Sequence, residues 1–177
     1  MNLPNKLTLL RVCLIPVFLI LYPYAVLGEP LSRYSALVVF VIASLTDALD
    51  GHIARSRGLV TNFGKLMDPL ADKLLVAAAM IAMVQTAELP AWVAILIISR
   101  EFLITGFRMI ALEKNMVIAA SKWGKLKTIS QIIMIVIILL NILPYQIEYG
   151  IILIATALTV ISAADYVMKN LRLIKDM

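Results

Sequence analysis

Six stretches of roughly twenty apolar residues alternate with short polar segments along the 177-residue chain, at about 8–27, 34–54, 69–87, 90–112, 126–143 and 148–168. Each is long enough to cross about 30 Å of hydrocarbon as a helix. Gly28–Arg33, Ala87–Leu89 and Asn141–Tyr145 supply turn chemistry between successive stretches. Backbone polar groups in lipid must be satisfied within the chain, which predicts helices. A membrane β-barrel would need alternating segments, and runs such as Ile132–Leu140 do not alternate. The pattern therefore predicts an all-α polytopic membrane protein: six transmembrane helices and a short N-terminal interfacial segment, Asn2 to Leu10, in one domain over 1–177. Residues 1–27 carry Lys6 and Arg11 ahead of an apolar stretch, as a signal peptide would. Pro16 and Pro23 interrupt that stretch and no small-x-small cleavage site follows, so it reads as a retained span.

Composition agrees, with 62% hydrophobic and only 15% charged residues, far from a soluble domain. All but one of the 16 Lys and Arg fall at one set of span ends. Arg33 alone lies at the other, where the loops carry Glu29, Glu88 and Glu148. The positive-inside rule then places both termini and the two long loops in the cytoplasm. The net charge of +5 reads as membrane topology and contact with anionic lipid, not as a nucleic-acid footprint, because no basic run is dense enough. The single cysteine, Cys13, excludes an intramolecular disulfide and reads as lipid- or core-facing filler.

Acids are scarce: 11 Asp and Glu in the whole chain, of which Asp47, Asp50, Asp68 and Asp72 share one short window. On a helix, Asp47, Asp50, Gly51 and Ala54 stand at i, i+3, i+4 and i+7, one face; Gly64, Asp68 and Asp72, at i, i+4 and i+8, share another. A loop from Ser56 to Phe63 joins them, so the two faces can meet. A carboxylate at a helix centre in hydrocarbon costs about 2.5–3.5 kcal/mol, and four together repel unless a cation holds them. Oxygen ligands without Cys or His suit Mg²⁺, Mn²⁺ or Ca²⁺ rather than zinc. Four carboxylates can hold two such ions, an arrangement suited to phosphoryl displacement. Gly51 and Gly64 open the backbone beside the acids, and Arg55 can fork onto a phosphate. Together these describe a pyrophosphate pocket at the membrane surface. His52, the only histidine, points off the shared face.

The string Asp47-x-x-Asp50-Gly51-x-x-Ala54-Arg55, eight residues, Gly64-x-x-x-Asp68-x-x-x-Asp72 resembles, at every defined position, the signature of the CDP-alcohol phosphotransferases. The flanks, Asn5 to Arg11, Ser99-Arg100-Glu101 to Arg108, and Ser121 to Thr128, are similar to those of bacterial members that make phosphatidylglycerophosphate. The likeness spans nearly the whole chain. It implies six membrane helices in a homodimer in the bacterial inner membrane, transferring a phosphatidyl group from CDP-diacylglycerol to sn-glycerol 3-phosphate. It also implies that Asp47, Asp50, Asp68 and Asp72 bind Mg²⁺ or Mn²⁺, two ions, and that Asp72 takes the proton from the acceptor hydroxyl. Gly51, Ala54, Arg55 and Thr61 would hold the cytidine nucleotide, with Asn5 and Thr8 adding to that pocket.

A second cationic group bears on the acceptor. Arg100 and Arg108 lie two turns apart (i, i+8) in or near the fourth span, where an ionisable residue is functional by default; Glu101 is the alternative, structural partner for one of them. Lys122, Lys125 and Lys127 read individually as inside-positive anchors, but with Ser121 and Thr128 they describe a site for a phosphate dianion. An uncharged alcohol would need no such cluster, so a phosphorylated acceptor is expected. The nearest rival readings are synthesis of cardiolipin, phosphatidylserine or an inositol-phosphate lipid. More distant ones are an intramembrane prenyltransferase, which would carry its Asp-rich motifs in separate helix pairs, and a cation transporter, whose site would sit near the bilayer midplane.

Overall fold

The computed structural model describes residues 3–22, 28–56, 62–113 and 121–175, without the side chains of 3–5, 47–56, 62–66, 68–69, 112–113 and 171–175. Among the described residues there are six helices and no strand: α1 Leu3–Leu21, α2 Leu31–Ser56, α3 Asn62–Gln85, α4 Ala91–Glu113, α5 Lys122–Leu140 and α6 Tyr145–Lys175. One helix falls on each expected stretch. The short N-terminal segment and the first stretch form one continuous helix, running over Pro16. Proline removes a single hydrogen bond, here to the carbonyl four residues back, and an otherwise apolar helix tolerates that loss. Helices α2 and α3 also reach beyond the apolar stretches that announce them; α3 begins at Asn62 and so takes in Gly64 and Asp68 ahead of the stretch at 69–87.

The chain divides into two compact units, one over Met1–Glu88 with Leu139–Asn141, the other over Leu89–Ile138 with Ile142–Met177. In the first, α1 packs against both α2 and α3, and α2 touches α3. Phe18 stacks on Tyr22, with ring centroids 5.5 Å apart, and meets Phe40 of α2 at 6.1 Å. The small residues Ala36, Ala43, Ala71 and Ala79 are fully buried, letting the backbones approach closely. At one end, Tyr22 donates to Glu88, and Arg33, itself buried, pairs with Glu29 and Glu88. That network explains why Arg33 departs from the charge asymmetry of the sequence: it is neutralised where it sits.

In the second unit α4 packs against α6. Arg100 meets Ser162 and Arg108 meets Tyr166, so the two helices run in the same direction. Helix α5 joins them through polar bonds, Lys127 to Glu101 of α4 and Gln131 to Thr159 of α6 at 3.0 Å. Ser121 begins α5 as its N-cap, accepting from the Gly124 amide at 3.0 Å.

Large apolar side chains stand exposed along these helices, among them Val38, Ile42, Leu45, Ile81, Ile95, Leu103, Ile129, Ile133, Ile154 and Val160. Contiguous apolar exteriors of this kind are uncommon on monomeric soluble domains. Among the described residues, two helical segments, Lys122–Leu140 and Tyr145–Asn170, are long and apolar enough to cross a membrane by length and composition.

The turn closing α3 generates a prediction. Glu88 N–H bonds the Met83 carbonyl at 2.9 Å and Ala87 N–H the Val84 carbonyl at 3.1 Å, a Schellman cap with Ala87 at φ 61°. An L-residue suffers steric strain in that left-handed conformation where glycine does not. Ala87→Gly should therefore stabilise the protein by about 1 kcal/mol, read as a higher unfolding midpoint in detergent.

Candidate functional site

Helix α2 carries Asp47, Asp50, Gly51, Ala54 and Arg55 in its C-terminal turns, and α3 carries Gly64, Asp68 and Asp72 in its N-terminal half. Because the backbone is helical through both segments, the i, i+3, i+4, i+7 and i, i+4, i+8 registers hold. The two helices are packed neighbours in the first unit. Thr61 and the side chains of Asn5, Asp47, Asp50, Ala54, Arg55 and Asp68 lie outside the described residues; Asp72 is described and half-buried. Among the described residues no group of three or more metal-ligating side chains gathers, and three of the four acids are not among them. The donor set itself, four carboxylates on two adjoining helices and no Cys or His, fits a hard divalent cation.

Helix α1 braces this end of α2. The Arg11 side chain is fully buried, and its Nε donates to the Ala43 carbonyl at 3.3 Å. Thr46 donates its hydroxyl to the same carbonyl at 2.6 Å. Ala43 lies one helical turn before Asp47, so a buried guanidinium fixes the turn that leads into the acids. Thr8, one turn earlier on α1, is also buried.

The cationic residues singled out in the sequence divide into groups. Arg100 donates to Glu101 at 3.1 Å and to the Ser162 hydroxyl at 2.7 Å. Lys127 is buried and bonded to the same Glu101. Glu101 thus holds two cations at once, one more than the pairing expected from sequence. Lys122 and Lys125 are exposed, and Ser121 caps α5. The Arg108 guanidinium sits over the Tyr166 ring, 5.9 Å from its centroid, a cation–π contact.

Sequence reasoning did not reach the α6 side of this group. Ser162, Asp165, Tyr166 and Lys169 stand at i, i+3, i+4 and i+7, one face of α6, and it is the face that Arg100 and Arg108 meet. That spacing was the available signal. Asp165 pairs with the exposed Lys169 at 2.7 Å through Oδ1. Just beyond, the Asn170 side chain donates to the Tyr166 carbonyl at 2.8 Å, where α6 leaves helical geometry. Four buried polar atoms here have no hydrogen-bond partner among the described residues: Nε of Arg100, Nε of Arg108, Oδ2 of Asp165 and the Tyr166 hydroxyl. Leaving such a group unsatisfied costs about 1–3 kcal/mol, so two donors, an acceptor and a hydroxyl call for partners that the described side chains do not supply.

Comparison with known proteins gives the same direction. A model of the CDP-alcohol phosphatidyltransferase family matches residues 1–161. A Bacillus subtilis protein named CDP-diacylglycerol–glycerol-3-phosphate 3-phosphatidyltransferase is 44% identical over 98% of this chain and 97% of its own length. A protein of the same name from Rickettsia bellii is 38% identical over 93% of each chain. A probable phosphatidylglycerophosphate synthase of Mycobacterium tuberculosis is 39% identical over 97% of this chain and 82% of its own.

The double load on Glu101 is testable. Glu101→Ala strands two cations in a largely buried setting, and breaking a buried pair in this way costs about 3–5 kcal/mol. The variant should unfold at markedly lower temperature or denaturant in detergent than Lys122→Ala, which removes an exposed charge and should shift the midpoint little.

Proposed function

The chain belongs to the CDP-alcohol phosphatidyltransferase family, and from that membership we propose that it transfers the phosphatidyl group of CDP-diacylglycerol to sn-glycerol 3-phosphate. The products are phosphatidylglycerophosphate and CMP. The observation that carries the donor half of the reading is the eight-position motif from Asp47 to Asp72, borne on the packed helices α2 and α3. What supports a phosphorylated acceptor is the pair of incompletely partnered guanidinium groups, Arg100 and Arg108, together with the acceptor printed in the relatives' names.

The reading includes a six-span inner-membrane protein, one domain, with both termini and the active site cytoplasmic, acting as a homodimer. Its exposed apolar helix faces and the distribution of Lys and Arg support it. So do the exposed aromatics Tyr34, Trp92 and Tyr145 near the N-terminal ends of α2, α4 and α6, where amphipathic rings favour a membrane interface.

Members of the family depend on a divalent metal. Mg²⁺ or Mn²⁺, two ions in this reading, would be held by Asp47, Asp50, Asp68 and Asp72 and would supply positive charge to the donor's pyrophosphate. The remaining work falls to the chain. Gly51 and Ala54 leave room for the nucleotide beside the α2 backbone, with Asn5, Thr8 and Thr61 completing its contacts. Arg55 pairs with the phosphate that departs. Arg100 and Arg108 hold the acceptor phosphate, and the exposed Lys122 and Lys125 draw the dianion in; Ser121 and Lys127 complete this group. Asp72 accepts the proton of the primary hydroxyl as its oxygen bonds the β-phosphorus, the one esterified to diacylglycerol. The bond from that phosphorus to the CMP oxygen breaks, and CMP carries away the electron pair.

Purified protein should release CMP from CDP-diacylglycerol with glycerol 3-phosphate, and chelation of divalent ions should stop it. Preference for serine, inositol, inositol phosphate or phosphatidylglycerol as acceptor would replace the reading with another of the family's reactions; ion flux in vesicles without CMP release would replace it with a transporter. Asp72→Asn should lower turnover by several orders of magnitude while nucleotide binding, measured calorimetrically, is largely kept. Near-wild-type turnover in that variant would remove Asp72 from the base role.

A further inference from the structure

The four unpartnered atoms on residues of α4 and α6 do not ask for an anion alone. A free phosphate would satisfy Nε of Arg100 and Nε of Arg108, but it offers nothing to a carboxylate oxygen except repulsion. Asp165 nonetheless stands on the same face of α6 as Ser162 and Tyr166, the residues that meet the two arginines. If this end of the unit were only structural, the carboxylate would neutralise a neighbouring guanidinium, as Glu101 does for Arg100. Instead Asp165 pairs through Oδ1 with Lys169, which is 62% exposed, and its Oδ2 is buried without a partner among the described residues. The Tyr166 hydroxyl is in the same state, on a residue only 5% exposed. The missing complement must therefore carry acceptors for two guanidinium donors and also a donor for a carboxylate. A phosphate ester bearing a free hydroxyl has that combination.

We infer that Asp165 and Tyr166 are the residues that recognise the acceptor's non-reacting secondary hydroxyl, and so set the enzyme's preference for glycerol phosphate over other phosphorylated alcohols. This rests on the reading of the acceptor given above and assigns it residues on α6. The secondary hydroxyl donates to Oδ2 of Asp165 and accepts from the Tyr166 hydroxyl, so both orphaned atoms are satisfied by one ligand group. Tyr166 also carries the Arg108 guanidinium on its ring and so positions it for the phosphate. With phosphate and secondary hydroxyl both fixed, the primary hydroxyl is the one left free to react.

The test compares two acceptors that differ in one atom. Glycerol 3-phosphate has the secondary hydroxyl; 3-hydroxypropyl phosphate lacks it and keeps the primary hydroxyl and the phosphate. With CDP-diacylglycerol in detergent, the wild type should favour glycerol 3-phosphate in kcat/KM by roughly tenfold or more, the discrimination of a site left with unpaired groups by the wrong ligand. Asp165→Ala should bring the ratio of the two acceptors close to one. Tyr166→Phe keeps the ring under Arg108 and should lower the ratio, the loss falling more heavily on glycerol 3-phosphate than on 3-hydroxypropyl phosphate. Should Asp165→Ala fail to fold, Asp165→Asn, of equal volume, should show an intermediate ratio. A wild type indifferent to the secondary hydroxyl, or variants in which both acceptors decline together, would overturn the inference and leave the phosphatidyl transfer standing. A wild type that does not use glycerol 3-phosphate at all would overturn the proposed function as well.

Discussion

Charge in this chain has to be balanced where it lies, because so little of the sequence is polar. Glu101 shows what that requires. One carboxylate holds Arg100 beside it on α4 and Lys127 on α5, and Arg100 passes the connection on to Ser162 of α6. Without that acid the three helices of the second unit would be left with two poorly solvated cations and fewer polar ties. The first unit obeys the same rule, with Arg33 enclosed by Glu29 and Glu88 and Tyr22 joined to the same carboxylate. Such pairs add modest net stability compared with apolar packing, yet are costly to break. They fix which turns of which helices face one another.

Where the balance is left incomplete, the structure points to a ligand. The two units leave opposite deficits. On α2 and α3 the sequence motif carries four acids, a donor set suited to cations. On α4 and α6 two guanidinium groups keep an unpartnered Nε, and the set calls for an anion. The metal-bound pyrophosphate donor and phosphorylated acceptor proposed above would answer these two sets, and charge, not the fold, is what supports them. Six helices by themselves would suit a transporter equally well.

Much of this was legible in the sequence. The number of helices and their connecting turns followed from hydropathy, since an apolar run of that length bounded by Gly, Pro or Asn has few alternatives. The acid motif was equally plain, because four of the chain's few carboxylates share one window. Helix ends were less accurate: the connection expected over Ser56 to Phe63 is shorter, since α2 continues to Ser56 and α3 starts at Asn62, and polar residues at a helix end do not announce whether they belong to it. Lys127 was grouped with the loop lysines, though it is buried and bonded to Glu101 while Lys122 and Lys125 are exposed. Sequence position near a loop does not report burial. Ser162, Asp165 and Tyr166 escaped notice because a few polar residues toward the basic end of an apolar helix resemble interfacial anchors; only their contacts with α4 separate the two cases.

That distinction bears on how an acceptor is chosen. Exposed lysines such as Lys122 and Lys125 act through water and salt, and at physiological ionic strength their field fades over about 8 Å. They can raise the encounter rate of any anion, but they cannot tell glycerol phosphate from another phosphate ester. Discrimination needs groups that are buried, fixed and penalised when the wrong ligand leaves them unpaired. In this unit the groups that answer to that description are Arg100, Arg108, Asp165 and Tyr166, each with a buried polar atom that has no partner among the described residues. Two proteins sharing the acid motif and a basic loop could therefore take different acceptors, and the residues opposite Arg100 and Arg108 on the last helix are where that difference would be encoded.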